Sequence, residues 1–367
     1  MKVLNWIINR SGVRQQFYDI AIIGTGIAGS VLAYNLEKKG INYFICTAQS
    51  SPLSNTSAMS NAHCRTNVNL NELVKLNVKK FDENKKRMRQ IYHRVRHVKS
   101  FFDELGIEYE EKTFGIIPKK GNGKEILEKL QSHTHINTNT ELIDFKKKKH
   151  FEIKLSKNGK NYYIASNYLV LATGGYGGTF KHTNNYKYKS YHVFDIAKKN
   201  DVQVINEENI FRHPFGYNKG KQILKGEEAS NGKFVNSKGK KVFSKKINKI
   251  IKENNYHENF DIILKEIDKI QKNDQIFFVD ENMKIEINPT IHYTAGGIKC
   301  NKIGEAYGIN GLFVIGECRA DGSKNGGRLP GYPYSSAIID SINLARLFEK
   351  EKNKLLHNTN VFICESV

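Results

Sequence analysis

The chain has 367 residues, 39% of them apolar, with 18 Tyr and 20 Phe spread along it. It can bury a sizeable core and is too apolar for a disordered tail or scaffold. Its 58 Lys and Arg against 37 Asp and Glu give a net charge of +21. The excess is mostly lysine interleaved with asparagine and isoleucine, as at Lys146 to Lys149, and reads as solvated surface rather than a nucleic-acid groove of arginines and stacking aromatics. No apolar run reaches the length of a spanning helix, and the N-terminus around Trp6, Ile7 and Ile8 lacks a full signal-peptide core. The cysteines Cys46, Cys64, Cys300, Cys318 and Cys364 contain no CxxC pair and no metal-ligand spacing. A cytoplasmic protein with reduced thiols and no metal site is therefore expected.

From the N-terminus, residues 1–16 form an extension without a readable motif. Tyr18 to Ile23 is an apolar, β-branched run followed by Gly24, Thr25, Gly26, Ile27, Ala28 and Gly29, then by a helical stretch from Ser30 to Lys39. This is strand, glycine turn, helix. In the GxGxxG spacing Gly24 permits the turn, Gly26 admits a pyrophosphate to the backbone and Gly29 packs helix on strand, which leaves the phosphates on the helix N-terminus. Gly40 closes the helix and Asn42 to Thr47 is predicted as a second strand. An acidic residue to hold the adenosine ribose is missing there, where Cys46, Thr47 and Ala48 stand.

Phe81 to Leu105 is predicted as a further helix, and Tyr168 to Gly178 as a buried strand that runs into glycines through Thr173 and Gly174. A third strand, Gly311 to Ile315, ends in Gly316 and Glu317. A carboxylate in that place suits a ribityl hydroxyl, which favours FAD over NAD. Pro333 to Phe348 has helical apolar spacing, and its N-terminus could stabilise negative charge on a reduced isoalloxazine. The dinucleotide domain is then discontinuous, 17–214 and 290–350. Residues 215–289 form an inserted lid with helices near Phe243 to Asn254 and Phe260 to Gln271, and 351–367 form a tail. The expected class is α/β, a Rossmann-like FAD-binding domain with an inserted small α+β capping domain. His213 and His292 flank the lid and Arg328 follows the last glycine motif. This set suits a carboxylate, since arginine binds one in two-pronged fashion and histidine can donate to another.

The motifs IIGTGIAGS, Ser54-Asn55-Thr56, LATGGYGG, His213-Pro214, HYTAGGI from His292, GLFVIGE and GGRL around Arg328 resemble those of L-aspartate oxidases and the flavoprotein subunits of succinate dehydrogenase and fumarate reductase. The resemblance spans nearly the whole chain. It implies FAD held by Gly24, Gly26, Ile27, Ala28, Gly29, Thr47, Ser54, Asn55, Thr56, Thr173, Gly174, Gly316, Glu317 and backbone near Tyr334 and Ser335. It implies a small dicarboxylate substrate (L-aspartate, fumarate or succinate) gripped by Arg328, His292 and His213. The expected activity is oxidation of L-aspartate to iminoaspartate for quinolinate and NAD synthesis, with quinolinate synthase a candidate partner. The alternatives are a soluble fumarate reductase or succinate dehydrogenase-like dicarboxylate oxidoreductase, or a basic flavin-containing binding protein with a lost active site. The chain departs from the family pattern at Ser60, Asn61 and Ala62, where a QGG loop is usual, and at Tyr332-Pro333, where Asn-Ser is usual. Lys245, Lys246 and Lys249 are candidates for the lid proton donor, and Glu110 and Glu111 for amine recognition.

Overall fold

The computed structural model describes residues 5–8, 14–66, 89, 91, 93–112, 115–188, 192–224, 226–253, 259–320 and 331–364. Two long strands, Arg14–Ile23 and Lys160–Leu171, run side by side in parallel, with Gln16 opposite Ile164 and Ile23 opposite Leu171. Tyr43–Cys46 flanks the first and Leu312–Val314 the second, both in parallel. These strands are apolar on both faces because both are covered. Ile20, Ile22, Ile45 and Val170 point into a core shared with the helices Ile27–Lys38, His97–Glu104, Gly123–Gln131 and Tyr332–Cys364. Ala21, Ile23, Leu169 and Leu171 point the other way, against Phe145, Phe151, Ile153 and the helix Val193–Lys199.

Toward their N-terminal ends the same two strands acquire antiparallel neighbours. Lys160–Leu171 joins a meander with Phe151–Lys157 and Thr140–Lys147. Asn5–Ile8 pairs with Arg14–Phe17. The segment predicted as a featureless extension thus supplies an edge strand, four residues long and too short to announce itself by alternation. The last helix also outruns its predicted end at Phe348 and continues to Cys364. Between Ser335 and Cys364 there is neither glycine nor proline to stop it. Ser341 Oγ donates to the Ala28 carbonyl at 2.8 Å, tying this helix to the helix behind the glycine turn.

A third apolar core lies between Phe211 and Ala295. Lys233–Asn236, Ile276–Val279 and Lys284–Glu286 form a small antiparallel sheet, beside the helices Lys245–Lys252 and Phe260–Ile270. Ser244 caps the first of these helices by accepting from the Ile247 N–H at 3.3 Å. Phe234 is central: its ring lies 4.8 Å from that of Phe215 and 5.3 Å from that of Phe278. Phe278 is fully buried. Replacing it with alanine is expected to cost about 3–5 kcal/mol, measured as the shift in a urea unfolding curve.

Candidate active site

The parallel strands end at one edge, and the glycine-bearing segments leave from that edge. Gly24 N donates to the Cys46 carbonyl at 2.8 Å, Ala172 N to Ile23 O at 2.8 Å and Ile315 N to Leu171 O at 3.0 Å. A Cβ on Gly29 would stand 2.0 Å from the Gly24 carbonyl oxygen, and one on Gly24 (φ +113°) would stand 2.3 Å from Ala172 O. Only glycine fits at either position. Gly26 caps the helix Ile27–Lys38 with no side chain of its own over the N-terminus, which leaves the positive end of the helix dipole facing the strand edge.

A short helix, Thr56–Met59, lies against this turn. Asn55 accepts from Ala58 N at 3.0 Å and donates to Pro52 O at 2.8 Å. Ser57 Oγ accepts from the Ile27 N–H at 3.1 Å. Thr56 Oγ1 accepts from Tyr186 N at 3.0 Å. Gln131, distant in sequence, donates to Thr25 O at 3.1 Å and to Ser30 Oγ at 2.9 Å, which locks the turn from behind. Thr47 is buried at the end of its strand, where its hydroxyl accepts from Gln49 N at 3.3 Å. Ser54 precedes this helix, its N–H donating to Ser51 O.

Thr173 and Gly174 follow the second long strand, and the Thr173 hydroxyl is buried without a protein hydrogen-bond partner. Gly316 faces Ala28, to whose Cβ a side chain on Gly316 would come within 3.0 Å. Glu317 lies beside it: its Oε1 accepts from Thr294 N at 2.9 Å and from Thr294 Oγ1 at 3.1 Å. Burial pushes the Tyr188 hydroxyl up to about 12; contact with Thr56 opposes the shift and the Glu317 charge adds to it. Ser335 Oγ donates to Arg65 O at 2.9 Å, and Tyr334 is buried beside Gly123. The glycine-bearing segments at Gly24, Gly174 and Gly316 thus converge on one edge, and the residues fit a dinucleotide. Gly24 and Gly29 permit the close packing of the turn, Gly26 leaves the helix N-terminus at the edge uncovered by a side chain of its own, and Thr173 has an unused buried hydroxyl.

The two histidines meet where the third core joins the strand edge. Ile210–His213 pairs antiparallel with Thr290–Thr294. Phe211 faces Tyr293 and Arg212 faces Ile291, so His292 is the extra residue of a bulge. The His213 and His292 rings lie 6.0 Å apart at 74°. Phe215 N–H donates to His213 Nδ1 at 3.2 Å, which leaves the proton of neutral His213 on Nε2. The Asn184 side-chain amide holds His292 Nδ1, its two ends at 2.9 and 3.1 Å. Phe260, at the start of a helix of the third core, packs edge-on against His213 at 5.0 Å.

Other predicted residues stand apart or outside. Arg328 lies outside the described residues. Lys245, Lys246 and Lys249 are exposed, and Lys249 lies 3.7 Å from Glu253. Glu110 and Glu111 are exposed and paired with Lys112 and Lys99 at 2.8 and 2.6 Å. Sequence reasoning passed over Ser57, Gln131, Asn184, Tyr188 and Thr294. Thr294 lies inside the HYTAGGI motif and was findable there, whereas Gln131 carries no local signal. Among the described residues no three His, Cys, Asp or Glu side chains are grouped to hold a metal, and no helix is long and apolar enough to cross a membrane.

Comparison with known proteins matches residues 137–333 to the family described as FAD binding domain, and residues 18–212 to the pyridine nucleotide-disulphide oxidoreductase family. An L-aspartate oxidase of Clostridium perfringens is 22% identical over 95% of this chain and 89% of its own length. One of Saccharolobus solfataricus is 26% identical over 90% of this chain and 77% of its own. Among solved structures, an E. coli quinol fumarate reductase chain superposes with a TM-score of 0.74 at 15% identity, covering 91% of this chain and 70% of that one. Because a methyl at residue 29 has no room, Gly29→Ala is expected to weaken FAD binding at least ~100-fold, read by titrating FAD into flavin-free protein. The chain belongs to the FAD-binding-domain family, in the group of FAD-dependent oxidoreductases that holds the L-aspartate oxidases and the fumarate reductase flavoproteins.

Proposed function

We propose that this flavoprotein oxidises L-aspartate to iminoaspartate. The observation that carries the reading is the pair of histidines, His213 and His292, brought to 6.0 Å from two antiparallel strands with their Nδ1 atoms already engaged. In this reading residues 17–214 and 290–350 bind FAD, and residues 215–289 cap the substrate. When bound, FAD supplies the two-electron acceptor, at N5, for the hydride that leaves the substrate carbon. The chain's own residues do the rest. His213 donates through Nε2–H to one substrate carboxylate and His292 contacts the other, with Arg328 as the two-pronged clamp. Phe211 and Phe260 close an apolar wall around His213 and exclude water. The protein acts in the cytoplasm and hands its product to quinolinate synthase.

A second reading, reduction of fumarate, draws support from a fumarate reductase flavoprotein subunit of Proteus vulgaris, 24% identical over 53% of this chain and 39% of its own length. One experiment separates the two. L-Aspartate added anaerobically is expected to bleach the flavin absorbance while succinate leaves it unchanged; bleaching by succinate alone would remove the aspartate reading. Arg328→Lys is expected to lower turnover ~100-fold or more with FAD content unchanged, because an ammonium cannot reproduce the planar fork. Near-normal steady-state rates in that variant would displace the assigned clamp.

A further inference from the structure

Thr294 occupies a junction between the cofactor edge and the histidine pair. It ends the strand Thr290–Thr294, two residues after the bulged His292, and is fully buried. Both of its polar donors converge on one atom: N–H and hydroxyl reach Glu317 Oε1 at 2.9 and 3.1 Å. The opposite wall is equally tight, since a Cβ on Gly175 would stand 2.2 Å from Thr294 Oγ1 and 2.4 Å from Glu317 Oε1. Three segments therefore meet at one carboxylate oxygen: the loop after the second long strand, the histidine strand and the turn Gly316–Cys318. The strand itself is clamped from outside, with Thr183 Oγ1 and Asn185 Nδ2 each donating to Ile291 O at 3.1 Å.

We propose that Thr294 is a positioning residue that orients the Glu317 carboxylate toward the flavin and, through the strand it shares with His292, links the cofactor site to the substrate site. The inference rests on the placement of FAD beside Glu317. A charge-assisted hydrogen bond holds its acceptor in a preferred direction as well as stabilising it. A Glu317 held on one oxygen by two donors of one residue cannot turn unless that strand moves, so occupancy by the flavin and the placement of His292 are coupled.

The test compares Thr294→Val, which keeps the β-branched shape and loses the hydroxyl, with Thr294→Ser, which keeps the hydroxyl. FAD is titrated into flavin-free protein of each and the quenching of its fluorescence is followed. Thr294→Val is expected to raise the FAD dissociation constant ~10-fold or more and Thr294→Ser no more than ~3-fold, from the usual strength of a hydrogen bond to a charged group. At saturating FAD, the valine variant is expected to raise KM for the substrate more than it lowers kcat. Wild-type affinity in Thr294→Val, or equal losses in the valine and serine variants, would overturn the proposal. If Thr294→Val does not fold, Thr294→Ala is measured instead against Thr294→Ser, with the same ~10-fold weakening expected and unchanged affinity overturning it. Wild-type protein that takes up no FAD would sink the cofactor placement as well, whereas firm wild-type binding with an indifferent Thr294 would sink only this inference.

Discussion

The backbone contacts at Gly24 and Gly29 set the rest of the architecture. Gly29 lies so close to the Gly24 carbonyl, and Gly24 so close to Ala172 O, that neither position can carry a side chain. That proximity lets the helix Ile27–Lys38 rise directly from the end of its strand, with its N-terminal dipole facing the edge at which the parallel strands stop. Both faces of the sheet are covered. Helices Ile27–Lys38 and Tyr332–Cys364 pack together on one face, and the meander and Val193–Lys199 fill the other. A slack turn would move the helix, and with it the N-terminus that faces the strand edge.

The site combines two kinds of rigidity. At the glycine turn, hydrogen bonds from distant residues immobilise backbone: Gln131 on the Thr25 carbonyl, Ser57 on the Ile27 N–H, Ser341 on the Ala28 carbonyl. Around the histidine pair, ring packing and a bulge fix the side chains, with Phe260 and Phe211 against them and Asn184 holding one Nδ1. The first kind fixes main chain. The second is built partly from the third core, whose helices meet the histidine strands through Phe260 and through the Arg212–Asp268 pair at 2.9 Å. That pair is exposed and contributes little by itself, so the apolar contacts of Phe260 dominate the join.

The high positive charge is carried mainly by lysine. Its lysines are largely exposed and in part offset by local carboxylates, as in Lys38–Glu104, Lys119–Glu108 and Lys198–Glu207. Buried charge is handled differently: Arg319 is almost fully enclosed, donates to Asn301 O at 2.8 Å and stands 3.5 Å from Asp340. Removing one partner there would strand the other in a low dielectric. The surface is tolerant and the interior exacting.

The glycine turn and the strand ends at Thr173 and Gly316 were legible from sequence, because local backbone geometry imposes them. GxGxxG permits only a tight turn, and apolar β-branched runs of this length become buried strands. The edge strand Asn5–Ile8 was not legible, being too short for a period to register, and neither was the extension of the last helix to Cys364, which depends on the absence of a stop rather than on a signal. Arg328 lies outside the described residues, so its role rests on the GGRL motif alone. Gln131 behind the glycine turn, the bulge that aims His292 and the meeting of Thr294 with Glu317 belong to the tertiary structure alone. Each joins residues far apart in the chain, and only folding brings a donor within reach of its acceptor.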